Sequence, residues 1–124
     1  MPDASRMLSI KSMKMNEIQK YIAANEPRFI EDLFSLIRIP SISALPEHHN
    51  DMLACAQRWQ ELLLEAGADE VTVMPSKGNP IVFGQKMVDP QAKTVLVYAH
   101  YDVMPAEPLD LWKSRPFEPE IRDG

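Results

Sequence analysis

The sequence predicts an α/β fold with helices packed on a mixed sheet. Two stretches, 16–38 and 50–65, place apolar residues at helical spacing. Three shorter stretches, 71–74, 81–87 and 94–99, are rich in β-branched and aromatic residues and are bounded by Pro, Gly and Asn. The last of these, T-V-L-V-Y-A, is apolar almost throughout, without polar alternation. That is the pattern of a strand covered on both faces, as in a helix-flanked sheet.

The elements follow in order. Residues 1–15 hold Met7, Met13 and Met15 with Arg6, Lys11 and Lys14, and no acid after Asp3. They lack the continuous apolar core of a secretory signal, so a disordered tail is expected. In the first helical stretch Ile18, Ile22, Phe29 and Leu33 recur at steps of four or seven, and Ile30, Phe34 and Ile37 widen the same face. Pro27 interrupts it, and Asn25 is able to N-cap a second segment, so one kinked helix and two short ones are both allowed. Pro40 disfavours the helical conformation at Ile39 and ends the element; 41–49 read as loop. The second helix starts at Asn50 or Asp51 and presents Met52, Ala56, Trp59 and Leu63 as one stripe, widened by Leu62. Gly67 stands where a C-capping glycine belongs. This helix is expected to pack against the sheet. Strand 71–74 stops at Pro75, residues 76–80 connect it to 81–87, and Asp89-Pro90 separates that from 94–99. Pro105, Pro108, Pro116 and Pro119 then exclude a helix interior or a central strand. Glu118–Arg122 is expected as a short edge strand closing in an Asp123-Gly124 turn.

Composition narrows the function. The chain has 124 residues, 45% hydrophobic and 25% charged, within the range of one soluble domain. Its net charge of −5, with no basic patch, disfavours nucleic acid and anionic membranes as partners. No apolar run approaches the roughly 20 residues of a membrane span. A single cysteine, Cys55, permits no intrachain disulfide and fits a reducing compartment, so a cytoplasmic location is expected.

The chemistry concentrates at His100 and Asp102, which follow the apolar run directly in A-H-Y-D-V. Ligands collect outside the carboxyl ends of strands in open α/β sheets. In extended chain, side chains two apart project to one side. His100 is then free to offer one ring nitrogen to a metal, while Asp102 accepts from the other and sets the tautomer. The triplet is also common by chance, and a structural histidine explains it as well. Other residues read more plainly. His48 and His49 are expected to be solvated, and Cys55 to be a small buried hydrophobe. Trp112 and Phe117 are expected to anchor the Pro-rich loop, and Glu107 and Asp110 to lie in it away from the metal.

Longer motifs go further. V-L-V-Y-A-H-Y-D-V-M-P-A, followed by L-W and then R-P-F-E-P-E-I-R-D-G, resembles the first metal motif of the M20 family of metallopeptidases. The form H-Y-D-V-x-P-A with P-F-x-P is nearest to that family's dipeptidase and carnosinase-like branch. F-I-E-D-L-F-S-L-I-R-I-P-S-I-S resembles the family's opening helix and the loop after it. The resemblance covers residues 16–124. It implies the N-terminal part of a zinc-exopeptidase-like catalytic domain, with the lid domain and the C-terminal part absent. It also implies two zinc ions, other divalent metals being compatible, bridged by a carboxylate and a water. His100 matches a ligand of one metal, and Asp102 matches the catalytic aspartate that orients it. The substrates implied are dipeptides or other small N-acylated amino acids, cleaved at the amide bond. Homodimerisation through the absent lid domain is a further expectation. The bridging aspartate, the general-base glutamate, another acidic ligand and a last histidine are expected beyond Gly124. The chain alone is therefore expected to be an inactive fragment. Its apolar strand 94–99 would lack neighbours, leaving apolar surface exposed. The alternative is a non-catalytic truncated or interaction module that keeps part of the fold, and a structural domain with an accidental H-x-D is a third reading.

Overall fold

The computed structural model describes the backbone of residues 4–124 and the side chains of 15–124. Of the disordered tail expected at 1–15, residues 1–3 lie outside the described backbone, and 4–15 are helical instead, forming the first turns of a longer helix. The chain divides into two units, Met1–Leu33 and Phe34–Gly124.

Helix α1 runs over Ala4–Ile37 with Pro27 inside it. Of the two arrangements the proline allowed, the single helix is the one formed. Asn25 does not cap a second segment. Its Nδ2 donates to the Tyr21 carbonyl at 2.8 Å, one turn back, a mid-helix use of a polar side chain. Arg28 and Asp32 pair at 3.1 Å on the next turn. In the second unit, Ile39 N–H bonds the Leu36 carbonyl at 3.1 Å and tightens the last turn ahead of Pro40.

A 3-10 turn at Pro46–His48 leads into helix α2, His49–Glu65. The helix begins just before the expected Asn50. His48 is the N-cap residue and makes no side-chain cap bond to the backbone. Asp51, in the first turn, supplies negative charge where the helix dipole favours it and accepts from His48 Nδ1 at 2.7 Å. His48 is thus half-buried and paired rather than solvated. At the other end Gly67 adopts φ 90°. Its N–H reaches the Leu64 carbonyl at 2.9 Å, and the Ala68 N–H reaches that of Leu63 at 3.0 Å. These two bonds form a Schellman motif, which needs a left-handed residue and explains the glycine.

Strands β1, Glu70–Met74, and β2, Ile81–Gln85, pair antiparallel, with Glu70 opposite Gln85 and Met74 opposite Ile81. The Ser76 hydroxyl organises their connection, donating to the Asn79 carbonyl at 2.7 Å and accepting from Gly78 N–H at 3.0 Å. Helix α2 packs on both strands, and Gln60 Nε2 donates to the Val71 carbonyl at 3.1 Å. Gly84 faces Leu63 so closely that a Cβ there would lie 3.2 Å from the leucine Cδ1. Met52, Cys55 and Ala56 of α2 and Ser41 and Ile42 of the preceding loop are buried.

The α/β class holds, while the pairing differs from the expectation in four places. Among the described residues the sheet is two-stranded and antiparallel, and parallel pairing occurs as one bridge, Ile42 to Val103. Strand β2 stops at Gln85 rather than Met87. The Asp69 carboxylate takes the Met87 N–H at 2.7 Å and the Lys86 ammonium at 2.8 Å, which ends the backbone ladder. The T-V-L-V-Y-A run is not a strand and is not covered. Val95, Leu96, Val97 and Tyr98 are 81 to 89% exposed. Strand character needs a neighbour's N–H and C=O groups, and neither β1 nor β2 pairs with this run. Glu118–Arg122 likewise forms no strand. Its side chains bond locally instead, Arg122 to Glu120 at 2.8 Å and to Ser114 at 2.9 Å. Asp123 and Gly124 both take positive φ, 53° and 87°. No described helix is long and apolar enough to cross a membrane.

Candidate metal site

The segment around His100 is held by the loop that follows α1. Val103 N–H donates to the Ser41 carbonyl at 2.9 Å, and the Ser41 hydroxyl donates to the Tyr101 carbonyl at 2.8 Å. Cys55 of α2 reaches the same carbonyl at 3.9 Å. On the opposite side the Tyr101 hydroxyl donates to the Pro80 carbonyl at 2.6 Å, at the entry to β2. Burial pushes the Tyr101 phenol above its ordinary range, so the hydroxyl keeps the proton it donates. Tyr101 is therefore staked at both ends. Its neighbours His100 and Asp102 project away from it, as alternation in extended chain demands.

His100 and Asp102 meet. The ring Nδ1 lies 3.0 Å from Asp102 Oδ1 and 3.1 Å from the Asp102 carbonyl oxygen. A carbonyl and a carboxylate only accept, so Nδ1 carries the proton, and the lone pair of the neutral ring sits on Nε2. The ring is 79% exposed, with Nε2 available to a cation. The second carboxylate oxygen, Oδ2, accepts from the Ser43 hydroxyl at 2.6 Å. The Ser43 bond is the main reason that the Asp102 carboxyl sits below its usual range; partial burial opposes it and the His100 bond adds to it. Asp102 is thus an ionised acceptor at neutral pH.

Chemically, Nε2 is one nitrogen able to take a metal, and the Asp102 carboxylate is able to fix the ring for it. They do not amount to a complete metal centre. Among the described residues no three His, Cys, Asp or Glu side chains converge, whereas zinc takes three or four protein ligands. Cys55 is no substitute. It is buried, and burial pushes its thiol up, so it behaves as the small hydrophobe expected of it. Glu107 and Asp110 lie with Pro108 and Leu109 on a shallow surface depression. Trp112 anchors the Pro-rich loop through a 2.8 Å bond from Nε1 to the Ala106 carbonyl. Ser41 and Ser43 carried no role in the sequence reading. No local pattern marks them, because their partners lie 60 and 59 residues further along the chain.

A comparison with models of known protein families finds no match. The chain is 34% identical over 104 residues to the cysteinylglycine-S-conjugate dipeptidase of Corynebacterium striatum, covering 83% of this chain and 23% of that protein. It is 36% identical over 104 residues to the Cys-Gly metallodipeptidase DUG1 of Candida albicans, covering 74% and 21%. In three dimensions it is similar to the dipeptidase Dug1p from Saccharomyces cerevisiae, with a TM-score of 0.73 and 29% identity over 80% of this chain and 23% of that one. The chain spans about a quarter of the length of the curated relatives it matches.

Proposed function

Because the chain is a homologue of the dipeptidases of the M20 metallopeptidase family, we propose that it forms the first part of the active site of a metal-dependent dipeptidase. Its substrates are dipeptides of the Cys-Gly kind or other small N-acylated amino acids, and the bond broken is the amide. His100 Nε2 is a ligand to one of two zinc ions. Asp102 holds the ring in the tautomer that leaves Nε2 unprotonated. When bound, the metal pair lowers the pKa of a water and polarises the substrate carbonyl. The remaining ligands and the general base come from sequence beyond Gly124, and the protein works in the cytoplasm.

One observation carries this reading: the 3.0 Å contact between Nδ1 and Asp102 Oδ1, on an exposed ring whose other nitrogen is left to a cation. A carboxylate behind a histidine raises its basicity as a ligand, and losing it commonly lowers metal affinity about 10- to 100-fold. The test compares the 124-residue chain with the polypeptide read through codon 124, each assayed for zinc content and Cys-Gly hydrolysis. Turnover is expected of the longer polypeptide alone, and His100→Ala in it is expected to lower bound zinc. Stoichiometric zinc with turnover in the 124-residue chain would refute the division of the site. Unchanged zinc content in His100→Ala would refute the ligand.

A further inference from the structure

The geometry points to Ser43 as a positioning residue for the His100–Asp102 pair, acting through the carboxylate and not on substrate or metal. The inference rests on the reading of His100 as a ligand. It starts from a weakness of that ligand: both partners of its Nδ1, Oδ1 and the main-chain carbonyl, come from Asp102. The ring is therefore placed only as well as Asp102 is placed.

The Asp102 carboxylate is half-exposed and sits on a torsion that is broad and soft for this side chain. Two hydrogen bonds, one to each oxygen, remove that freedom. Oδ1 takes the His100 proton at 3.0 Å, and Oδ2 takes the Ser43 hydroxyl at 2.6 Å. The Ser43 bond is the one that comes from outside the H-x-D triplet, from 59 residues earlier in the chain.

A surface serine is a poor clamp unless its own backbone is fixed, and here it is. The Ser41 carbonyl accepts Val103 N–H at 2.9 Å, and Ile42 forms a parallel bridge with Val103. The Ser41 hydroxyl holds the Tyr101 carbonyl at 2.8 Å. Ser41 and Ile42 are 2% and 5% exposed. The loop is thus joined to the site segment at 101 and 103, on either side of Asp102, and Ser43 is delivered to the residue between them. Without its hydroxyl, Oδ2 loses its partner and the carboxylate is free to turn. The Nδ1–H tautomer then keeps a weaker hold.

The experiment reads that tautomer directly, by nitrogen NMR of the His100 ring in the 124-residue chain at a pH where the ring is neutral. Three variants are compared with the parent: Ser43→Ala, Ser43→Thr, which keeps the hydroxyl, and Ser43→Val, which matches Thr in shape and lacks it. The parent and Ser43→Thr are expected to hold the ring mostly as Nδ1–H. Ser43→Val and Ser43→Ala are expected to shift the Nδ1–H to Nε2–H ratio about threefold or more toward Nε2–H, the scale of one hydrogen bond. If Ser43→Ala loses the folded amide spectrum, the Thr and Val pair decides. A parent rich in Nδ1–H with Val equal to Thr would overturn the role of Ser43 and leave the His100–Asp102 pair standing. A parent without Nδ1–H excess would overturn the pair itself, and the proposal with it.

Discussion

Replacing Asp102 by Asn separates the charge of the orienting carboxylate from its shape. The amide has two ways to sit. With its oxygen toward His100, the acceptor at 3.0 Å from Nδ1 survives and the NH2 group faces Ser43 Oγ, 2.6 Å from the former Oδ2. A hydroxyl both donates and accepts, so Ser43 turns its proton away and takes the new one. In the flipped arrangement NH2 meets Nδ1–H, two donors face each other, and the ring must move its proton to Nε2. The first arrangement wins, both contacts persist, and what is lost is the charge. Bonds to charged groups contribute about 1.5–3 kcal/mol and neutral ones about 0.5–1.5 kcal/mol. The ring is 79% exposed and the carboxylate 42%, so screening puts the difference at the low end. A loss of about 1 kcal/mol is roughly fivefold in zinc affinity. Asp102→Ala removes both bonds, and its expected loss is about 10- to 100-fold. Chelator competition for zinc, in the polypeptide extended beyond Gly124, measures both variants against His100→Ala. If Asn weakens binding as much as Ala does, geometry is not what Asp102 supplies. If Ala leaves the affinity unchanged, Asp102 does not orient the ligand at all.

Two further predictions concern the scaffold. Gly67→Ala meets no atom within 4 Å, so its cost is the φ of 90° alone, about 1–2 kcal/mol, read as a lower urea midpoint; an unchanged midpoint would show that the left-handed conformation at this position costs a side chain nothing. The Asp69 carboxyl is held below its ordinary range, first by Lys86 and then by the Met87 N–H. Its contribution to stability is therefore complete above the unfolded carboxylate pKa of about 3.9 and is lost as pH falls through the lower folded value. Asp69→Asn is expected to flatten the acid side of the stability curve below about pH 4, and equal acid sensitivity in urea titrations of the two proteins would contradict this.

Local rules made much of the scaffold readable from the residues. Gly67 announces the end of α2 because only a left-handed residue closes that turn, a constraint four residues wide. The end of β1 and the start of β2 follow from Pro75 and the Ser76–Pro80 connection; the end of β2 does not, because Asp69, 18 residues earlier, takes the Met87 N–H. The meeting of His100 with Asp102 follows from alternation in extended chain, with nothing distant required. The start of α2 is less legible, since both His48 and Asp51 serve its first turn and no single capping residue marks it.

The sequence by itself determined the class of fold, the presence of the second helix and the glycine that ends it, the two short strands that follow, and the imidazole with a carboxylate beside it. Each depends on neighbours a few positions apart, whose geometry is set by backbone torsion. Only the tertiary structure decided that Ser41 and Ser43 grip the segment bearing that pair, because the contact joins residues 59 and 60 positions apart and no local rule selects them. It also decided against strand pairing for T-V-L-V-Y-A. An apolar run specifies a wish to be covered; whether it becomes a strand depends on a second backbone arriving to share its hydrogen bonds.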